Sequence, residues 1–503
     1  MEHNITLKQI LYQLQKRGDG KAFFINEDWY TYRELASLVA GIQDMILAEM
    51  GPAAHAGVFL SDDLYTYASI LALWMSGKAF VPVNPQFPAA RNRSIMDQMN
   101  LEVVLHSGNL EKDQLIPGCR SMDTGHLKLD TGLKPVLDTF EGERDAYVLF
   151  TSGSTGKPKG VRISFFNLNA FLGDFMKSPA YSFTPEDRFL QIYDLSFDGS
   201  IPSWVVPLAC GASVFTVPHG EIKYLAAYKL MQEHQLTFIK MPPSTLTYLR
   251  PYFPSIHLPA VKYCLLGGEA LPGSLVREFE SCIPNALIQN VYGPTEASVI
   301  SLIYDWNGKG NGRKEHLGIA AVGKPLGSCK VLVLDENDQP AEPGVRGELI
   351  IAGDQVSPGY WNNRELNQRA FVDRVVDGKS SRFYRTGDMV VMDMEGDLMF
   401  LGRNDEQVQV RGYRVELGEI ESFARQFLEG KSVMAAGIAP EPGEMELFLA
   451  VESDPVDPGP LRKHLEMHLP PYMVPGKVIF IQQFPRLVSG KLDRRAIQEQ
   501  LAE

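Results

Sequence analysis

Cysteine is scarce in this 503-residue chain: Cys119, Cys210, Cys264, Cys282 and Cys329 are odd in number, widely scattered and free of Cys-x-x-Cys spacing. That pattern fits reduced structural thiols rather than a disulfide framework or a zinc-thiolate site. Positive charge is short as well, with 48 Lys plus Arg against 61 Asp plus Glu, a formal net charge of −13. No run of five or six like charges occurs, which argues against a general nucleic-acid binder, because neutralising many phosphates takes clustered cations. Long hydrophobic runs are also missing. The most apolar stretch, Ala68 to Val83, is interrupted by Ser76, Gly77 and Lys78 and stays below the roughly 18 residues of a membrane helix. The start, Met1-Glu2-His3-Asn4-Ile5-Thr6, has neither the basic flank nor the apolar core of a secretory signal, so a cytoplasmic protein without membrane insertion is expected. No internal repeat of 20–50 residues emerges, which excludes solenoids and propellers.

What is present describes a globular protein: 45% hydrophobic and 22% charged residues, in a length that suggests roughly three domains or subdomains. Apolar β-branched runs alternate with helical patterns, as at Ala56–Leu60, Leu64–Met75 and Ala79–Val83, which predicts largely parallel α/β sheets. The segment Asn307–His316 is so rich in Gly, Asn and charge that it reads as an exposed loop without a packed element. Beyond Val322, the short runs Val331–Leu334, Gly347–Ala352 and Asp397–Leu401, separated by tight turns, predict a small, mostly antiparallel β subdomain. After Leu401 a further compact unit is expected, with a helix at Leu417–Phe427, a strand near Leu447–Val451 and a helix at Leu461–Leu469. Its polar approach, Gly402-Arg403-Asn404-Asp405-Glu406-Gln407, suits a hinge.

The most informative stretch is Thr151-Ser152-Gly153-Ser154-Thr155-Gly156-Lys157-Pro158-Lys159-Gly160, which follows the apolar strand Ala146–Phe150 and precedes another β-branched segment. Hydroxyls, backbone N–H groups and two lysines suit a polyphosphate; the bland alternative is a flexible Ser/Gly linker. A Walker loop is excluded, since its first Gly falls on Thr151 and its Ser/Thr on Pro158. The string resembles the phosphate loop of the adenylate-forming superfamily of acyl-CoA synthetases, luciferases and nonribosomal peptide synthetase adenylation domains. Further resemblances follow in that family's order. They are Tyr30-Thr31-Tyr32-Arg33-Glu34-Leu35, Gly77-Lys78-Ala79-Phe80-Val81-Pro82-Val83, Phe197-Asp198-Gly199-Ser200 and Asn290-Val291-Tyr292-Gly293-Pro294-Thr295-Glu296. Then come Gly347-Glu348-Leu349 with Gly359-Tyr360, Tyr384-Arg385-Thr386-Gly387-Asp388, and Gly402-Arg403-Asn404-Asp405 running on through Arg411-Gly412-Tyr413-Arg414-Val415-Glu416-Leu417-Gly418-Glu419. Pro471-Tyr472-Met473-Val474-Pro475 and Gly490-Lys491-Leu492-Asp493-Arg494 complete the series.

The resemblance implies the acyl-adenylate synthetase fold. That is an α/β architecture with a large N-terminal domain (1–403) of two α/β subdomains plus a small β subdomain, and a small mobile α+β C-terminal lid (404–503). It also implies ATP and Mg²⁺ as cofactors. Thr151, Ser152, Thr155 and Lys159, in the loop with Gly153, Ser154 and Gly156, would hold the β- and γ-phosphates. Glu296 would help hold the metal, although an acidic residue in a first turn also stabilises the helix dipole. Tyr292 would offer a face to adenine and Asn290 would read its edge. Gly293, Thr295, Gly268, Glu269 and Ala270 would line the nucleotide site. Asp388 would accept the ribose hydroxyls, where otherwise it would be a turn Asp. Arg403 would contact the nucleotide, and Asp405 would be the hinge. Lys491 would bridge substrate carboxylate and ATP, then be exchanged for the Arg411-Gly412-Tyr413 loop when the lid turns.

In amino-acid-activating members the Asp of Phe-Asp-x-Ser pairs with the substrate ammonium, and Asp198 stands there; the alternative is a helix N-cap. Leu266, Gln289 and Val291 are expected to line the side-chain pocket. The expected activity is amino-acid adenylation, possible substrates including D-alanine, with transfer to the phosphopantetheine thiol of a separate carrier protein in trans, as the two domains fill the chain. D-alanine:carrier ligases carry Cys just before the Gly-Glu pair, where this chain has Gly267, and many relatives have His where it has Phe165. The competing readings are an acyl- or aryl-acid CoA ligase and a catalytically silent nucleotide-binding paralogue. His464 and His468 have a metal-ligand spacing, but Glu466 is misplaced for His-Glu-x-x-His, and they are expected on a helix surface.

Overall fold

The computed structural model describes the chain except residues 1–3, 109, 111–113, 130–131, 154–156, 219, 309–311, 377, 430, 440–444, 487–491 and 503. Two large sheets carry the first part of the chain. Among the described residues, one has seven strands in the order Gly359–Tyr360, Lys159–Ser164, Asp145–Thr151, Ala79–Val83, His55–Phe59, Val103–His106, Arg120–Asp123. It is parallel from Asp145–Thr151 onward. The other has nine strands and is parallel in its middle, running Leu287–Tyr292, Tyr263–Gly267, Phe238–Met241, Arg188–Gln191, Ser213–Thr216, Lys21–Ile25. A parallel sheet is covered on both faces. Accordingly, Ala79–Val83 and Phe238–Met241 are buried at every position, the latter including Lys240.

The helix Leu64–Met75 starts where predicted because the Asp63 carboxylate accepts from Thr66 N at 2.9 Å. It packs against the helix Ile201–Cys210 through Trp74 and Trp204, stacked with ring centroids 5.3 Å apart, and Trp74 Nε1 donates to Ala146 O at 2.7 Å. These fully buried rings belong to one apolar core spanning both sheets. Trp74→Ala is therefore expected to cost about 3–5 kcal/mol, read as a lower urea midpoint; a loss below about 1 kcal/mol would show that this contact does not join the two sheets.

The antiparallel subdomain forms as the sequence predicts, from Lys330–Leu334, Arg346–Ala352, Lys379–Met392 and Phe371–Val376, with Leu398–Arg403 alongside. The segment Asn307–His316 departs from expectation. Glu315–His316 pairs with Ile319–Ala320, Arg313 bonds Glu280, and Lys314 is tied to Asp393, Glu395 and Asp397. Its charges, which suggested solvent, anchor its end instead. Phe165 is fully buried, its ring 4.6 Å from that of Phe140, so it is a core residue.

The last hundred residues place Leu417–Phe427 and Gly459–His468 against Val433–Ile438, Glu446–Glu452 and Lys477–Ile481, with a core of their own. His464 and His468 are half-buried rather than solvated: the His468 ring lies 5.1 Å from Phe423, and the His464 ring 5.2 Å from Phe427. Among the described residues, no helix is long and apolar enough to cross a membrane.

Candidate functional site

The strand Asp145–Thr151 and the returning strand Lys159–Ser164 leave a loop whose first turn only glycine can close, because a Cβ on Gly153 would lie 2.1 Å from Lys157 O. Thr151 Oγ1 is buried without a hydrogen-bond partner among the described residues. The neighbouring donors are engaged by the C-terminal unit. Ser152 Oγ donates to Arg414 O at 2.9 Å and accepts from Glu416 N at 3.0 Å, Lys159 Nζ donates to Glu416 Oε1 at 3.0 Å, and Gly153 N donates to Glu419 Oε2 at 3.1 Å. The other Glu419 oxygen accepts from Arg91 at 2.6 Å, with side-chain exposures of 3% for Arg91 and 0% for Glu419. A lysine and a free backbone N–H make an anion site, and here two of the protein's own carboxylates sit in it.

Next to it Glu296, in the turn Thr295–Ala297, is completely buried. Its Oε1 accepts from the Tyr360 hydroxyl at 2.7 Å and its Oε2 from Arg414 Nη1 at 2.8 Å. Burial alone would raise its pKa, but Arg414 and Lys159 pull it down to about 2. Asp388 accepts from Tyr292 Oη and from Arg403 Nη1, both at 2.5 Å, and Arg403 also grips Asp405 through Nε and Nη2 at 2.7 and 2.8 Å. Asn290 Nδ2 donates to Ala321 O at 2.9 Å. Glu269 accepts from Ser244 N at 2.7 Å and Gly412 N at 2.5 Å. The Tyr413 ring stacks on Tyr472 at 4.0 Å and meets Phe197 edge-on at 4.7 Å. The loop Arg411-Gly412-Tyr413 thus faces the site.

Behind Phe197, Asp198 opens the turn Asp198–Ser200 and caps no helix with its side chain. It receives a bond from the Thr295 hydroxyl, while its Oδ2 is buried without a partner. Burial raises its pKa to about 6 against the pull of Lys240, and burial lowers that of Lys240 to about 8. Lys240 Nζ donates to Gly199 O at 3.0 Å and lies 4.1 Å above the Tyr193 ring.

Residues 11–361 match the model of the AMP-binding family, described as AMP-binding enzyme. The chain belongs to that family. It is 31% identical over 502 residues to tyrocidine synthase 3 of Brevibacillus parabrevis, covering 98% of this chain and 8% of that protein. So the chain spans about a twelfth of that relative's length. Among solved structures it resembles holo-PA1221, an NRPS protein containing adenylation and PCP domains, with a TM-score of 0.84 and 24% identity over 98% of this chain and 84% of that one. It also resembles the Vibrio cholerae adenylation domain AlmE in complex with glycyl-adenosine-5'-phosphate, with a TM-score of 0.83 and 24% identity over 99% and 97%. The predicted acyl-adenylate synthetase fold is the fold these structures share.

In this AMP-binding enzyme, Ser152, Gly153, Lys159 and Glu296 come together around Arg414, Glu416 and Glu419, whereas Tyr292, Asp388, Arg403 and Asp405 form a second linked group. Gly268 and Ala270 are exposed beside Glu269. Gly293 packs against Val299 and Ser301 backbone, and Thr295 reaches Asp198. Ser154, Thr155, Gly156 and Lys491 lie outside the described residues.

Two pocket expectations need correction. The register pairs Lys240 with Leu265 and Leu265 with Gln289, so Leu265, not Leu266, shares the sheet face of Lys240. Leu266 is fully buried in the opposite core with Ile239, Met241 and Ile288. Gln289 is on the Lys240 face, but its amide is taken by Tyr181 at 2.5 Å and Asp305 at 2.7 Å. Val291 remains on that face, aligned with Gly267. A Cβ at Gly267 would come 2.1 Å from Val291 O, so the D-alanine ligases' Cys has no space here.

Sequence reasoning missed Lys240, Arg414, Glu416 and Glu419 as site residues. Glu416 and Glu419 carry a signal only once the anion-site donors across the fold are known.

Proposed function

We propose that this AMP-binding enzyme adenylates an amino acid with ATP and passes the acyl group to the thiol of a phosphopantetheinylated carrier protein in the cytoplasm. The observation that carries the amino-acid reading is Asp198: its Oδ2 is buried with no partner among the described residues, which is costly unless a cation completes it, and a substrate ammonium supplies one. In the first half-reaction a substrate carboxylate oxygen attacks the α-phosphorus, the bond to the bridging oxygen breaks, and pyrophosphate leaves with that electron pair. The protein's part is positioning and charge stabilisation.

In this assignment Thr151, Ser152, Thr155 and Lys159 hold the phosphates, the orphaned Thr151 hydroxyl being one donor awaiting an acceptor. Asn290 and Tyr292 hold adenine, and Asp388 holds the ribose once Arg403 or Tyr292 gives up a bond. Lys491 orients the attacking carboxylate. Among the described residues no group of three or more His, Cys, Asp or Glu forms a metal cage. Glu296 still fits Mg²⁺, a hard cation bound by one or two carboxylates plus substrate phosphates, which would neutralise phosphate charge. Residues 1–403 and 404–503 act as body and lid about Asp405.

In the second half-reaction the thiol sulfur bonds to the acyl carbon, AMP leaves, and the thiol proton passes to solvent. A cleft of about 510 Å³ between Phe87 and Pro88 on the body and Arg462 and Pro471 on the lid offers a long pantetheine arm an approach.

Amino-acid-dependent ATP–pyrophosphate exchange tests the reading across both enantiomers of the common amino acids. Asp198→Ala is expected to raise the amino-acid KM about thirtyfold with a smaller change in kcat. Exchange with simple acids but with no amino acid would replace this reading by the acyl- or aryl-acid CoA ligase. Protein that binds ATP but exchanges with neither would be a silent paralogue.

A further inference from the structure

Lys240 is 4% exposed in the middle of the parallel strand Phe238–Met241, where its neighbours Ile239 and Met241 are apolar. Lysine is almost never fully buried without a counter-charge. Its ammonium has three donors, and the structure fills one, the bond to Gly199 O, and sets the charge over the Tyr193 ring. Among the described residues, no carboxylate is within ion-pairing distance of it, Asp198 included.

Three more polar atoms gather here without partners. Among the described residues, Asp198 Oδ2, Tyr193 Oη and Tyr147 Oη are all buried and unbonded, and both tyrosines are close enough to feel the Asp198 charge. Native interiors leave few such groups, and several in one place point to a polar ligand. The pocket therefore holds an anion and a cation that feel each other's charge without closing into an ion pair. Burial raises the pKa of Asp198 and lowers that of Lys240 against their mutual attraction. Gly199 packs close to both groups, since a Cβ there would lie 3.4 Å from Lys240 Nζ and 3.2 Å from the Tyr193 ring.

We propose that Lys240 selects an amino acid whose side chain ends in a carboxylate, with Asp198 receiving the α-ammonium and Lys240 the side-chain acid. The proposal rests on the amino-acid reading above. The substrate's α-carboxylate stays free to react, and its two remaining charges match the pocket's two unpaired ones. A neutral side chain of the same shape leaves Lys240 unpaired and is rejected.

The test compares kcat/KM for pyrophosphate exchange with aspartate, glutamate and 2-aminoadipate, against asparagine and glutamine, and against succinate and glutarate. One dicarboxylic amino acid is expected to exceed its amide or other neutral counterpart at least about fiftyfold. In Lys240→Met that advantage is expected to disappear, with an amide substrate unchanged or improved. The wild-type comparison decides even if the variant folds poorly. Preference for a neutral amino acid overturns the inference and leaves amino-acid activation standing. Exchange with succinate or glutarate but no amino acid overturns both. An acidic preference that survives unchanged in folded Lys240→Met overturns the role of Lys240.

Discussion

Lys491→Ala will lower amino-acid-dependent pyrophosphate exchange about a thousandfold or more, while transfer from a preformed aminoacyl adenylate to a thiol stays within about threefold of wild type. The reacting carboxylate and the α-phosphate are both anionic, so the first half-reaction brings like charges together and needs a cation at the point of attack. The acyl adenylate has already lost pyrophosphate, and a thiol attacking it meets no such repulsion. Other cations near the phosphates cannot substitute. On the proposed assignment Lys159 is taken up by the β- and γ-phosphates during adenylation, and Arg403 stays bonded to Asp405. Purified adenylate with a pantetheine thiol, followed beside exchange, gives the two readouts. Equal loss of both would show that Lys491 does not act specifically in adenylation.

The opposite separation is expected for Glu419→Ala. Glu419 bonds Arg91 and Gly153 N, all in buried surroundings, which on the proposed assignment ties the lid to the phosphate loop. Removing one member of a buried pair costs about 3–5 kcal/mol, because the other charge stays buried and alone. On the proposed division at Asp405, Arg91 and Glu419 lie on opposite sides of the hinge, so that cost falls on docking the lid rather than on folding either part. A docked-to-undocked ratio lowered by this much falls about 10²–10⁴-fold. Thiol transfer should fall with it, exchange should persist, and small-angle scattering should show a larger radius of gyration. A scattering profile and transfer rate equal to wild type would mean that this contact does not hold the lid.

The legibility of the chain followed the reach of its interactions. The helices Leu64–Met75 and Leu417–Phe427 are readable because their signals are local: the Asp63 cap and a continuous apolar run in the first, and one apolar face in the second. The motifs name segments that the fold brings together, yet nothing local to the motif that holds Arg414, Glu416 and Glu419 gives those three a role. Their partners Glu296, Lys159 and Gly153 are more than a hundred positions away. The sequence points to Leu266 rather than its neighbour because strand alternation is visible in sequence but its phase relative to the pocket is not. Lys240 was invisible for a related reason. One lysine in Phe-Ile-Lys-Met is unremarkable until parallel neighbours bury it and the chain returns Asp198 to its side.

The two lid glutamates on the phosphate loop also bear on the order of events. On the proposed assignment, the triphosphate of ATP needs the same donors of Ser152, Gly153 and Lys159 that Glu416 and Glu419 occupy. The two occupants exclude one another, so the lid can settle here only after pyrophosphate has gone. No separate sensor is required to keep the thiol step second. Pyrophosphate in solution should then inhibit transfer by competing with the protein's own side chains, without ever touching the acceptor.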